Sequence, residues 1–163
     1  MSEHLTAMGW PVHLIQGGGE IRCSGRKSGG WRIGVKDPRR PDAVAASLRL
    51  DSGRAVSTSG DYERFFLRNG VRYHHIMDPR TAAPARGGSV ATTVLCAKSV
   101  ACDALSTALF VLGPRRGKTA AQRAGVEAFW IRETPEGLCG LATAGWGTRL
   151  SLAKGLATCR EPW

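Results

Sequence analysis

The strongest constraint on the fold lies between residues 89 and 113. Residues 89–97 form a run rich in β-favouring Val and Thr, and Ser99 then offers an N-cap to a helix reaching Leu112. Gly113-Pro114 halts that helix. Nearly every position from Val100 to Leu112 is apolar, so the helix is expected to be buried on most sides. A strand followed directly by such a helix demands a sheet to pack against. A chain of 163 residues, 42% of them apolar, can supply one. At this size folding buries roughly two-thirds of the exposed chain surface.

The remaining segments read mainly as strands. A short helix ends at Gly9, and residues 11–15 then form a strand that breaks at Gly17-Gly18-Gly19-Glu20. Further strands fall at 21–24 and 31–35, around a turn at 25–30. Residues 47–50 alternate as a strand should, and Asp51-Ser52-Gly53 turns them into 55–58. The clearest hairpin joins 63–68 to 71–76 through Asn69-Gly70. After the central helix come a short helix at 119–124, a strand at 126–132 and a turn at Pro135-Glu136-Gly137. The expected class is α+β: a mostly antiparallel or mixed sheet packed against helices.

Composition limits the function. The net charge of +10 favours a polyanionic or phosphate-bearing partner, but the basic residues are spread along the chain. The tight groups are Arg39-Arg40 and Arg115-Arg116-Gly117-Lys118. No recognition-helix or aromatic-studded RNA-binding strand accompanies them, so nucleic acid is not the expected partner. No apolar run approaches the ~18 residues of a spanning helix. Five cysteines without a C-x-x-C pair argue against a zinc site and against a complete disulfide framework. Cys96 and Cys102 read as core residues. The first ten residues lack the apolar stretch of a signal peptide.

Three stretches could carry chemistry. The glycines at 17–19 let a backbone approach a bulky or anionic ligand, although glycine-rich connections between strands are common. In Tyr73-His74-His75-Ile76-Met77-Asp78-Pro79-Arg80-Thr81, strand alternation sends the two histidines to opposite faces. They cannot converge on one ion. One of them suits a general base or a phosphate donor, the plainer reading being a strand-end pair. On the helix, Asp103 and Thr107 are four apart and share a face. Their oxygens suit a hard cation such as Mg²⁺. Equally, Asp103 could serve the helix dipole while Thr107 bonds back to the preceding turn.

These blocks occur together in one order: G-G-E-I-R at 18–22, W-R-I-G-V at 31–35, T-S-G-D-Y-E at 58–63, Y-H-H-I-M-D-P-R-T at 73–81 and D-A-L-S-T-A-L-F-V-L-G at 103–113. The arrangement resembles the ApbE family, the FAD:protein FMN transferases, over roughly residues 5–132. The resemblance implies a T-fold-type architecture and cleavage of FAD at its pyrophosphate. FMN would pass to a threonine hydroxyl of an acceptor protein, of the electron-transport subunit type, with release of AMP. It implies Asp103 and Thr107 as Mg²⁺ ligands, His75 as the base that activates the acceptor hydroxyl, and Ile76 and Met77 as lining of the flavin site. Ser106 stands where some members carry an acidic residue. Arg80 is a candidate phosphate partner.

The same resemblance implies that residues 1–163 form the C-terminal portion of a single ApbE-like domain. The family's G-G-x-A-K-G-like segment is not in this sequence, so the fold is expected to be incomplete at its N-terminus. Thr81-Ala82-Ala83-Pro84 replaces the family's T-G-x-P turn. The alternative to an active transferase is an inactive flavin-binding remnant, or a half that needs its counterpart. Family members commonly work at the bacterial cell envelope or periplasm.

Overall fold

The computed structural model describes residues 1–160. A short helix, α1 (Ser2–Ala7), leads into β1 (His13–Gly17) and β2 (Glu20–Ser24). The chain continues through β3 (Trp31–Lys36), β4 (Val44–Leu50) and β5 (Ala55–Gly60). Two small ribbons follow, β6 (Phe65–Arg68) with β7 (Val71–His74), and β8 (Met77–Asp78) with β9 (Ala83–Pro84). Then come β10 (Ala91–Cys96), α2 (Ser99–Ala124), β11 (Glu127–Thr134) and β12 (Gly137–Ala142). A 3₁₀ turn (Ala144–Arg149), β13 (Leu150–Leu152) and β14 (Ala157–Thr158) complete the described chain.

A seven-stranded sheet in the order β1-β2-β5-β10-β11-β12-β14 forms the middle layer. Every pairing in it is antiparallel except β12 with β14, so the sheet is mixed, as the sequence predicts. Alternation along the central strands divides the core between its two faces. Val94, Ala128 and Trp130 pack under α2 with Cys96 and Cys102, where the cysteines were expected. Ala91, Leu95, Phe129 and Ile131 point the other way, onto the three-stranded sheet β13-β4-β3 and its Ile33, Val35, Leu48 and Leu50. The layers therefore run helix, sheet, sheet.

The central helix differs from expectation in two ways. It covers the sheet with one face only. Asp103, Ala104, Thr107 and Ala108 are exposed, and so is Val100, so burial on most sides is not what the structure shows. Its buried side meets the sheet and, from Phe110 to Gly113, the segment carrying Ile76, Ala85 and Gly87, and small alanines tolerate the open side. Secondly, the helix is broken rather than ended at Gly113, whose φ of 68° and ψ of 172° lie outside the helical region. A Cβ there would sit 1.8 Å from the carbonyl oxygen of Gly87, so only glycine fits this backbone crossing. Pro114 opens the second helical segment, a position where its missing N–H costs nothing. The short helix expected at 119–124 is the end of that segment.

Two long-range links complete the fold. Arg39 forks onto Asp61 at 2.7 and 2.8 Å and reaches Glu133 at 2.8 Å, joining the loop after β3, the end of β5 and the end of β11. Cys139 and Cys159 form a disulfide that ties β12 to the segment after β14. The sequence argues only against a complete framework, and Cys23, Cys96 and Cys102 are indeed free and buried. The single bridge is a finding of the structure.

Candidate active site

The site grows from the edge where β2 and β5 pass beneath α2. Glu20 on β2 pairs with Ser57 on β5. Ser57 and Ser59 share the helix-facing side of β5, since residues two apart on a strand point the same way. Ser59 Oγ lies 2.8 Å from Ser106 Oγ and 3.0 Å from Thr107 Oγ1. Ser106 is fully buried and turned into this hydroxyl seam, so it fixes the helix on the sheet rather than facing the cleft. Thr107 also bonds back to the Asp103 carbonyl oxygen at 3.4 Å. The back-bond weighed against a metal role is therefore present alongside the contact with Ser59.

A cleft of about 780 Å³ opens beside this seam. Its lining includes His75, Ile76, Met77, Asp103 and Thr107, the five site residues expected from the sequence. Glycines 17–19 line it as well, and a Cβ on Gly19 would meet the Thr58 carbonyl oxygen at 2.6 Å. Lys36 and Arg64 are lining residues that sequence reasoning did not single out, and Glu20 and Tyr62 figured in it only within longer motifs, with no role of their own. Glu20 could have been found, because it directly follows the glycine turn and alternation aims it at the same face as Ser57.

The electrostatics of the cleft are uneven. Burial, the charge of Asp103 and a hydrogen bond to Asp103 all raise the Glu20 carboxyl above its ordinary value. Two carboxylates held this close resist ionising together, and a cation between them would relieve that repulsion. With the Thr107 hydroxyl they make a hard, oxygen-only donor set, which fits Mg²⁺. Among the described residues no cluster of three or more His, Cys, Asp or Glu converges, so the remaining ligands of such an ion would come from elsewhere. Burial, with Glu63 and Asp61 nearby, pushes the Tyr62 hydroxyl up to about 12, leaving it a neutral donor.

The histidines separate as alternation predicts. His74 is buried, places Nε2 3.1 Å from the Ala85 carbonyl oxygen and accepts the Ile76 N–H at Nδ1. Burial lowers its affinity for a proton, so it is a neutral structural group. His75 is exposed to the cleft, and its Nδ1 lies 3.2 Å from the Arg64 carbonyl oxygen. A carbonyl oxygen only accepts, so Nδ1 is the donor, which places the lone pair of the neutral imidazole on Nε2, the atom at which a base would take up a proton.

Other candidates are placed differently. Arg80 gives Nε and an Nη to Asp78, at 2.9 and 2.6 Å, and is not among the cleft-lining residues. Lys36 and Arg64 are the cations that line the cleft. Arg80 in turn holds the Asp78 carboxyl down at about 2. Ile76 buries its side chain against Ala85 and Phe110. Its N–H and carbonyl are hydrogen-bonded to His74 and Ala85, which leaves it an apolar contact to offer. Met77 is exposed at the rim.

This fold is one seen in solved flavin transferases. The chain superposes on the ApbE protein of Thermotoga maritima with a TM-score of 0.73 and 40% identity, covering 85% of this chain and 44% of that one. It matches the Pseudomonas stutzeri flavinyl transferase ApbE with a TM-score of 0.73 and 36% identity, over 90% of this chain and 46% of that one. The chain belongs to the ApbE family, which it matches over residues 1–130. Among curated relatives, the FAD:protein FMN transferase of Vibrio cholerae is 32% identical over 93% of this chain, and that of Rhodobacter capsulatus 39% identical over 93%. The chain spans 46% of the length of the first and 28% of the second.

Proposed function

We propose that this chain is the C-terminal portion of a single flavin-transferase domain and carries the metal-and-base side of its cleft. The observation that carries the reading is convergence. Glu20, Asp103 and Thr107 sit on one wall, and the open Nε2 of His75 belongs to the same cleft. Relatives named FAD:protein FMN transferase point to FAD as the substrate.

In this reading the acceptor's threonine hydroxyl gives its proton to His75 Nε2. The freed oxygen attacks the phosphorus on the FMN side of the pyrophosphate. The bond to the AMP oxygen breaks, and AMP leaves with the electron pair. Lys36 and Arg64 attract the phosphates, while Ile76 and Met77 give the flavin apolar contact. Mg²⁺ held by Glu20, Asp103 and Thr107 would neutralise pyrophosphate charge. The Cys139–Cys159 disulfide supports an oxidising compartment such as the bacterial cell envelope.

The test has two readouts. Thermal unfolding with FAD, with and without Mg²⁺, measures binding. AMP release and covalent flavin on an acceptor measure transfer, for the chain alone and mixed with the portion of the Vibrio cholerae relative that it does not match. FAD should stabilise the chain, Asp103→Asn should remove the Mg²⁺-dependent part, and transfer should occur in the mixture but not with His75→Gln. Stabilisation without AMP release in any mixture would instead identify a flavin-binding remnant. No stabilisation by FAD would refute both.

A further inference from the structure

The β6–β7 ribbon pairs with no other strand among the described residues. A lone two-stranded ribbon is barely stable by itself, and its side chains find little core to enter. All four residues of β6 are exposed, with Phe66 61% and Leu67 62% accessible. Its turn is built for projection: Asn69 and Gly70 both have positive φ, at 50° and 74°, as the tightest two-residue hairpins require. Free apolar surface of this kind is uncommon unless something covers it.

One face of the ribbon leads to the cleft. Phe66 pairs with Tyr73 and Arg68 with Val71, while the His75 N–H donates to the Arg64 carbonyl oxygen at 3.1 Å. Alternation therefore places Arg64, Phe66 and Arg68 on the same face as Val71, Tyr73 and His75. The Phe66 and Tyr73 rings stack with centroids 5.1 Å apart and planes 7° from parallel. The Arg86 guanidinium lies 5.9 Å from the Tyr73 ring centre. The result is an aromatic platform with three arginines around it and His75 at its foot. From Arg68 to Arg64 the face runs about 13 Å, taking ~3.3 Å per strand residue.

The charges on this face are uncompensated. Neither Arg64, Arg68 nor Arg86 makes an ion pair among the described residues. The nearby Asp61 is held by Arg39. Stacked aromatics flanked by arginine are the groups that dominate binding at protein interfaces. Arginine without a carboxylate partner selects an acidic one and repels a basic one.

We infer that the Phe66–Tyr73 face is where the acceptor protein docks, and that the acceptor's target threonine lies in a segment bearing Asp or Glu and at least one large apolar side chain. The inference rests on the transfer reading above, because it takes His75 as the destination of that threonine. An apolar side chain on the platform and a carboxylate at Arg68 leave the next few residues of an extended segment to reach the foot of the ribbon.

The experiment measures fluorescence anisotropy of two labelled peptides against the purified chain. One carries a single threonine flanked by aspartates and leucine; in the other, lysines replace the aspartates. The aspartate peptide should bind, the lysine peptide should not, and salt should weaken binding. Phe66→Ser and Arg68→Glu, both at exposed positions that leave the core untouched, should each weaken binding by about tenfold or more.

Equal binding of the two peptides, or wild-type binding by both ribbon variants, would overturn the inference. So would an oligothymidylate that binds as tightly as the aspartate peptide and is lost in Arg68→Glu. Light scattering that shows a dimer abolished by Phe66→Ser would assign the face to a second copy of the chain, and peptide binding lost on adding the unmatched portion of the Vibrio cholerae relative would assign it to the rest of the domain; either result would overturn the inference too. FAD-dependent thermal stabilisation, read in the same samples, separates the two proposals. If FAD stabilises but the peptides are not distinguished, docking fails alone. If the peptides are distinguished but FAD has no effect, the flavin reading fails, and with it the identification of the partner as the acceptor.

Discussion

Removing the Cys139–Cys159 bridge should lower the stability of this chain by an amount that its geometry sets. The two cysteines are 20 residues apart in sequence. Cross-linking a loop of about that length removes ~11 cal/mol/K of chain entropy from the unfolded state, or about 3 kcal/mol at 25 °C. The closed loop contains β13, which pairs with β4, so the bridge also restrains a contact between the two sheets. In a domain of this size each kcal/mol moves Tm by about 2–4 °C, so the expected fall is roughly 6–12 °C. The assay is thermal unfolding by circular dichroism of the wild type and a Cys139→Ser/Cys159→Ser variant, each with and without a phosphine reductant. Reductant should bring the wild type down to the variant and leave the variant where it is, because Cys23, Cys96 and Cys102 are free thiols. An unchanged wild-type Tm in reductant, or a variant that also falls, would refute the reasoning.

Two further outcomes can be checked on the chain without FAD. Because the fold raises the Glu20 carboxyl, its unfavourable contribution is absent at low pH and grows as pH rises through the ordinary carboxylate range and then the raised value. Glu20→Gln should therefore raise Tm near pH 7 without Mg²⁺, change little below pH ~4, and weaken the stabilisation that Mg²⁺ gives; a lower Tm at pH 7 would contradict the repulsion with Asp103. Gly113→Ala should cost roughly 3 kcal/mol, from left-handed backbone strain and the collision with Gly87. That shows as a lower urea midpoint at unchanged slope, and a midpoint equal to the wild type would mean that the crossing is not tight.

The local elements were legible because their signals are local. Asn69-Gly70 specified the ribbon turn, and Gly113-Pro114 marked the place of the break, although it read as the helix's end. Alternation placed His74 and His75 on opposite faces, but did not say which of them would be buried. The first strand begins two residues later than expected because Pro11 has no N–H to give, and the ladder starts with His13 opposite Ser24. Sheet order, by contrast, is a matter of distant pairings. No pattern within β2 or β5 announces that they will be neighbours, and so Glu20 was not matched with Asp103. The choice of Cys159 as the partner of Cys139 likewise depends on β14 lying beside β12, which two weakly patterned residues do not reveal. The helix's open face was hidden by its composition, since alanine is compatible with either side of a boundary.

The Arg39 fork has a consequence for how this chain can be altered. It bridges Asp61 and Glu133, which lie 22 and 94 residues away, and Asp61 directly precedes the cleft-lining Tyr62. Losing Arg39 takes the near cation from both acids, at greatest cost for the buried Asp61, which is left with Arg72 at 3.9 Å. The three positions are therefore best altered as a set. A chimera whose junction falls between Arg39 and Asp61, or between Asp61 and Glu133, must take both sides from parents that carry the same trio. Otherwise it places a mismatched charge next to the wall that holds Tyr62.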